Sequence, residues 1–567
     1  MRTLRECFLS YDIALLEAIA ASRGVLLEER EVPRAAARLA EVLGEEESVR
    51  KALARLGPEA QRALRMLLAA GGRMRLSVWE RRWGAIRPLG PGRLRREEPW
   101  RQPANASERL WYLGLIGRDF GEEAGHTVEF FFVPEDLMPV LQTWLGEQPS
   151  EPPSAPAPCS ATPEEVQEAG TLLLEASLAY LGYLYNRPVR VGQGGRLYRT
   201  HGEALRAYVV ERAPGTAEGE CLPFLEVLLG EAGLTVRREG RLRPEPRRTR
   251  VWLESPPEKA LDLLRETWLA TRRWNDLWHV PSLRCEETGW QNDPRLARQA
   301  LLAVLRTLAP GAWYAVDDLV QVLFRDNPDF QRPDGDYESW FLRDAETGQY
   351  LHGFASWPQV EGALLRHLLT GPLYWLGVVA RGDGGRAVRL TDSGARWLSG
   401  GEGAVEGPQG PPRLEGTTVL IPPSLDRFHR FQLARLADWE PGGPPYRYRL
   451  TPASVGRALR QGIPRERVEA FLARLLQGPL PEEFSRALRL WEERAREVRL
   501  RRAVVLEVED PQALEQLLAD AAVSKFLGER LSPRHVLVAP RNVEPLRKAL
   551  RSRGYKALLE GREPPVS

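Results

Sequence analysis

The stretch WPQVEGALLRHLLTGPLYWLGVVARGDGGRAVRLTDSGARWL, from Trp357 to Leu398, decides the fold. It reads as a helix running into a strand, and a Gly-rich tip, RGDGGR, joins that strand to AVRLTDSGARWL. Asp-Gly-Gly between two apolar-alternating runs is a strong hairpin signal, because tight hairpin turns need the left-handed conformations that glycine adopts freely. Upstream, ARQALLAVLRTL (297–308) and AVDDLVQVLF (315–324) show helical apolar spacing. The predicted order is therefore helix, helix, helix and hairpin.

The same order recurs towards the N-terminus. PEAQRALRMLLAAGG (58–72) spaces Leu64, Leu67 and Leu68 as a helix; RLSVWERRWG, SERLWYLGLIGRDF and the strand HTVEFFFVP follow. Ser107 is the predicted N-cap of the third helix, and Pro134 ends the strand. Three helices and a hairpin is the winged-helix order, with the hairpin as the wing. Between these regions, residues 162–283 offer TLLLEASLAYLGYLYNRPVRV, a helix pair around FLEVLLGEAGL, and VRREGRLRPEPRRTRVWL as a hairpin. This middle region reads as a further winged-helix-like unit.

At 567 residues the chain exceeds one hydrophobic core, and roughly 150 residues per domain suggests three to five domains. Two Pro/Gly-rich stretches, EQPSEPPSAPAPCSATP from Glu147 and SGGEGAVEGPQGPPRLEG from Ser399, read as linkers that cannot bury enough apolar surface to order themselves. The expected division is residues 1–146, a linker 147–163, 164–288, 289–398, a linker 399–413, and 414–560. The expected fold class is α+β: mostly helical winged-helix-like modules followed by a small α/β domain.

A net charge of +2 means that any nucleic-acid surface arises from local segregation of charge. Cys7, Cys159, Cys221 and Cys285 lie far apart with no C-x-x-C pair, which argues against a disulfide scaffold or a zinc ribbon and fits a reducing cytoplasm. No cleavable leader and no apolar run of membrane-spanning length is evident, so the expectation is a cytoplasmic protein without a membrane partner.

A nucleotide-driven motor needs a lysine after the glycine of a phosphate-cradling loop. The five lysines, Lys51, Lys259, Lys525, Lys548 and Lys556, follow Arg50, Glu258, Ser524, Arg547 and Tyr555, so the sequence contains no P-loop. The glycines of 400–407 miss dinucleotide spacing. Seven histidines, at 126, 201, 279, 352, 367, 429 and 535, form no H-x-x-x-H pair, and no G-x-S-x-G elbow occurs. The acidic stretch Asp317–Glu346 could hold a divalent ion, but its carboxylates lack a recognisable ligand spacing, and a solvated loop is the plainer reading. No cofactor, metal site or catalytic group is expected.

The best nucleic-acid signal is the middle hairpin. Arg237, Arg238, Arg241, Arg243, Arg247, Arg248 and Arg250 crowd it, with only Glu239 and Glu245 as counter-charges. Guanidinium groups on a wing suit phosphates or a narrow minor groove. A weaker cluster, Arg93, Arg95 and Arg96, precedes the first region's third helix and is diluted by Glu97 and Glu98. Arginine is the default cation of this chain, which lowers the weight of either run. Of the seventeen tryptophans, Trp111, Trp268, Trp340, Trp375 and Trp491 sit among apolar periodic residues and are read as core.

Near the C-terminus, VLIPPS, FQLARLADWE, YRLTPASVGRALRQGIPRERVEAFLARL and PLPEEFSRALRLWEERAREVRL succeed one another. Thr451 is placed to cap a helix with Pro452 in its first turn, Val455, Leu459 and Ile463 share a face, and Gly462 can end it. A β-α-β-α order is predicted for AVVLEVE, PQALEQLLAD, HVLVA and VEPLRKALRSRG. The block 414–560 resembles the N-terminal domain of XPB-type DNA helicases, the translocase family of TFIIH. Tyr448, Leu450, Thr451, Ser454, Ala458, Gly462, Ile463, Phe471 and Leu472 stand at family positions, while Glu497 replaces a glycine that many relatives carry. More loosely, IRPLGPGRLRREEPW, VWLESPPEKALDLL and WLATRRWNDLWHVPSL resemble bacterial helicase-associated proteins.

The resemblance implies a docking half, carried by Tyr448, Leu450, Thr451, Ser454, Gly462 and Phe471, that pairs with an XPB-like helicase in trans. The expected function is a non-catalytic adaptor in DNA repair or transcription that holds duplex DNA. The alternatives are a winged-helix transcriptional regulator with a C-terminal oligomerisation domain, and a nuclease accessory using carboxylates such as Asp334 and Asp336.

Overall fold

In the computed structural model, which describes residues 2–123, 126–147, 155–192, 196–401, 410–494 and 504–559, one order of elements occurs three times. A helix leads into a very short strand, two helices follow, and a hairpin closes the unit. The first copy uses helices Pro58–Ala69, Leu76–Trp83 and Ala106–Tyr112 with strands Arg73–Arg75, Gly117–Glu123 and His126–Phe132. The second uses Leu172–Asn186, Arg199–Arg212 and Cys221–Glu231 with Val189–Arg190, Thr235–Arg238 and Arg241–Pro244. The third uses Pro294–Leu305, Val316–Asp326 and Glu361–Thr370 with Trp313–Ala315, Val379–Gly382 and Ala387–Leu390. In each, the short strand pairs antiparallel with the second strand of the hairpin: Arg73 opposite Phe132, Val189 opposite Leu242, Trp313 opposite Arg389. Two or three residues are too few to show alternation, so these strands leave no pattern in the sequence.

Two details correct the sequence-based expectation. Asn105, not Ser107, caps the third helix of the first copy, by accepting from the Glu108 N–H. Ser107 is fully buried, accepts from Trp79 Nε1 at 2.7 Å and donates to the Trp83 carbonyl at 3.0 Å. The other detail lies just past the linker 147–163. Residues Val166–Gln167 pair with Gly382 and Arg381 and add a fourth strand to the third sheet. The Asp383 carboxylate accepts from the Glu164 and Glu165 N–H groups. A Cβ at Gly382 would lie 2.4 Å from Pro163 Cγ, so only glycine admits this crossing.

These units belong to one compact body, Met1–Arg486, which also holds a four-stranded antiparallel sheet ordered Arg413–Glu415, Thr418–Ile421, Tyr446–Arg449, Asp438–Trp439. Helices Arg427–Leu436, Pro452–Arg460 and Arg465–Leu475 accompany it. The second body, Ala487–Ser567, contains strands Val504–Glu507, Leu527–Ser532 and His535–Val538 and helices Pro511–Ala519 and Val543–Arg551. Its sheet is wholly antiparallel, with His535–Val538 central. The predicted β-α-β-α order lacked the strand LGERLS, whose mostly exposed residues carry no apolar alternation. Val523, Val538, Leu546 and Leu550 form its core. The chain is thus a multidomain α+β protein. No described helix is long and apolar enough to cross a membrane. Glu497 lies outside the described residues.

Candidate nucleic-acid interface

The three hairpins differ in how their arginines are used. On the first, Arg118 pairs with Glu129 at 2.6 Å, and Asp119 binds Arg2. On the third, Arg381 bonds Glu218 and Gln167 at 2.6 Å and stacks on Tyr374, while Arg389 pairs with Glu168 and lies over Trp313. The crossing strand just past the first linker supplies Gln167, and Glu168 follows it directly, so both strand arginines of this hairpin are compensated, and Arg386 at its tip is the one arginine left without an ion pair among the described residues.

The middle hairpin has no such partners. Arg190, Arg241 and Arg238 stand directly opposite one another across its three strands, on one face of the sheet. Arg243, two residues along from Arg241 and opposite Val236, extends the same face. The other face carries Val189 and Leu242 towards the core, with Arg237 beside them. Arg190, Arg238, Arg241 and Arg243 are exposed and have no carboxylate partner among the described residues. A groove of about 500 Å³ opens along this face, lined also by Tyr185, Arg187 and Gln461. Arg187 packs its guanidinium over Tyr183 and Tyr208, and among the described residues no carboxylate meets its charge. Low-dielectric walls beside a row of one sign of charge raise the local potential and attract anions.

Three of the predicted wing residues are elsewhere. Arg247, Arg248 and Arg250 sit on the helix Pro246–Glu254, which begins as soon as Pro244 ends the strand. Glu245 is spent as its N-cap, accepting from the Arg248 N–H at 2.6 Å. Arg250 pairs with Glu254 at 2.8 Å. In the second basic cluster Arg93 pairs with Glu97 and Arg95 with Glu17, which leaves Arg96, exposed on the same helix, Pro91–Glu97, as the one member without an ion pair among the described residues. Arg187 and Arg190 are not foreseen by the sequence pattern. Their only signal is that they flank or end a two-residue strand.

Six of the nine carboxylates of Asp317–Glu346 are bound one by one, and Asp318, Glu338 and Glu346 are exposed. Asp317 pairs with Arg366, Asp326 with Arg325 and Asp329 with Arg81; Asp336 and Asp344 accept backbone N–H groups of their own turns, and Asp334 accepts from the Asp336 N–H. Among the described residues no group of three or more His, Cys, Asp or Glu could hold a metal ion. Trp111, Trp268 and Trp375 are buried, whereas Trp340 is half-buried in a stack with Trp290 and Trp278.

The C-terminal motif builds its own core. Tyr448, Leu450 and Ser454 are all buried. Thr451 accepts from the Ser454 N–H, and Ser454 Oγ accepts from the Thr451 N–H. Gly462, at φ +80°, lets the chain turn so that the Ile463 N–H reaches the Ala458 carbonyl. Phe471 stacks on His429. Tyr448, Leu450 and Ser454 are thus committed within the chain, while Phe471 is half-buried and Gly462 exposed.

The helix before this motif docks on the middle unit. Arg430 bonds both oxygens of Glu175 at 2.7 Å, Asn186 Nδ2 donates to the Ala434 carbonyl, Arg212 Nε to the Trp439 carbonyl, and Arg427 to the Trp252 and Ser255 carbonyls. Burial lowers the pKa of Arg427 to about 10, which leaves it charged at neutral pH.

Residues 415–532 match the family model of the helicase conserved C-terminal domain. No curated protein matches the chain. The match supports a helicase-associated protein, and it covers both the segment docked on the middle unit and part of the second body.

Proposed function

We propose that this chain is a non-catalytic adaptor whose three repeated units are winged helices, that it holds duplex DNA on the middle wing, and that it works with an XPB-like helicase in DNA repair or transcription. One observation carries the reading. Of the three wings, only the middle one keeps a row of guanidinium groups, Arg190, Arg238, Arg241 and Arg243, without a carboxylate partner among the described residues.

Arginines in such a row neutralise phosphates and release condensed counterions, which accounts for affinity without sequence preference. The helicase-type segment adds Gln461 to the same groove, so DNA on the wing lies beside the segment that would meet the helicase. That segment uses helix Arg427–Leu436 against its own middle unit, and its remaining surface is what a separate helicase would contact.

The test is fluorescence anisotropy of a labelled random duplex, titrated with the full chain at two salt concentrations. Binding that weakens steeply with salt and falls when Arg238, Arg241 and Arg243 become alanine supports the reading. Unaltered binding in that variant removes the middle wing from it. Adding the protein to an XPB-like helicase and finding its ATPase rate unchanged removes the helicase.

A further inference from the structure

A second groove, of about 520 Å³, lies where helices Pro246–Glu254 and Pro257–Ala270 meet the end of helix Cys221–Glu231. Its floor is apolar, made of Leu234, Trp252, Val251 and Leu263. Val251 is 69% exposed and Leu263 40%, so two large aliphatic side chains of the groove face solvent. Arg247, Arg248 and Lys259 border this floor.

Every nearby carboxylate is bound to something else. Glu245 caps the first helix, Glu254 holds Arg250, Glu258 and Asp262 hold Arg396, Glu266 accepts from Trp397 Nε1, and Glu231 holds Thr271 and Arg273. Among the described residues Arg247, Arg248 and Lys259 have no ion-pair partner. An apolar strip rimmed by uncompensated cations is complementary to a ligand that is apolar on one side and acidic on its flanks. Nucleic acid fits less well, because a phosphate backbone has nothing to place on Val251 and Leu263.

We propose that this groove docks an acidic amphipathic helix of a partner protein. Apolar residues at i, i+3 or i+4, and i+7 would cover Val251, Trp252 and Leu263, and flanking Asp or Glu would meet Arg247, Arg248 and Lys259. Residue spacing supports the fit: Arg247 and Val251, and Lys259 and Leu263, are each four positions apart and share a helix face. The inference does not depend on the DNA reading, which uses a groove that shares no lining residue with this one.

The experiment is a selection from a helical-peptide display library against the immobilised full chain, followed by titration of the recovered peptides. The expected peptides are net acidic with apolar residues at helical spacing. Their affinity falls by about tenfold or more in Val251→Asp/Leu263→Asp and again in Arg247→Glu/Lys259→Glu. Both variants change side chains at the groove surface, and an unchanged melting temperature verifies folding. Recovery of no peptide, of basic or neutral peptides, or of peptides that bind both variants as tightly as the native chain overturns the proposal. It is also overturned if the charge-reversed variant loses duplex binding while the apolar variant keeps its peptides, since the cations would then serve DNA.

Discussion

Arg430 and Glu175, 255 positions apart, meet through two parallel hydrogen bonds of 2.7 Å. The Arg430 side chain is 2% exposed and that of Glu175 16%, and Arg430 also lies 3.6 Å over the ring of Tyr446. A fork of this kind matches carboxylate geometry and fixes the helicase-type helix on the middle unit in one register.

Replacing Arg430 with Met leaves Glu175 without its counter-charge in a nearly dry site. The expected loss is about 3–5 kcal/mol, with a smaller loss in the Arg430→Met/Glu175→Met double variant, because the isolated buried charge is the costly species. Thermal denaturation of the three proteins checks this. A single variant as stable as the double one contradicts it.

The proposed duplex binding through the middle wing has a quantitative signature. Converting Arg238, Arg241 and Arg243 to alanine should flatten the slope of log affinity against log salt by about 0.9 for each phosphate that is no longer neutralised. Converting Arg93 and Arg95 should leave the slope unchanged, because Glu97 and Glu17 already hold them. Anisotropy titrations across a salt series measure both.

His367 provides a pH-dependent stability difference. Burial lowers its pKa to about 4 from 6.5, and Nε2 has no hydrogen-bond partner among the described residues. The unfolded chain therefore takes up a proton between those values while the folded protein does not. The stability this neutral imidazole maintains above pH 6.5 is lost as the pH falls towards 4, by on the order of 3 kcal/mol. Comparing melting temperatures of the native chain and His367→Gln at pH 7 and pH 5 isolates this contribution: the gap between them should narrow or invert at the lower pH.

Gly394 lies in the helix Asp392–Ser399, which follows the third hairpin, and packs on the backbone of Val378 just before strand Val379–Gly382. A Cβ there would lie 2.2 Å from the Val378 carbonyl oxygen and 2.8 Å from its carbon. Backbone cannot yield as a side-chain tip can, so Gly394→Ala should destabilise the protein by about 1–3 kcal/mol despite the better helix propensity of alanine. Chemical denaturation would detect the loss as a lower midpoint.

The three helix-helix-helix-hairpin runs were legible because each rests on local signals: apolar spacing within helices, and turn residues such as Asp383-Gly384-Gly385 and Glu239-Gly240 between strands. The cap at Thr451 and the turn at Gly462 were legible for the same reason. What could not be read was set by pairing across distance. Val166–Gln167 carries no signal that it will complete the sheet of a unit some two hundred residues later, and Leu527–Ser532 shows no alternation because most of its residues meet solvent.

The candidate site divides along the same line. Composition and spacing alone determined that arginines concentrate around the middle hairpin and that no phosphate-binding lysine motif is present. Only the tertiary structure decided which arginines act together. Strand register brought Arg190 beside Arg241 and Arg238, the start of a helix at Pro246 carried Arg247 and Arg248 to a different groove, and the crossing segment supplied Gln167 and Glu168 to the third hairpin. The physical reason is that a charge is available to a ligand only when folding leaves it without a counter-charge, and the counter-charges here come from residues remote in sequence.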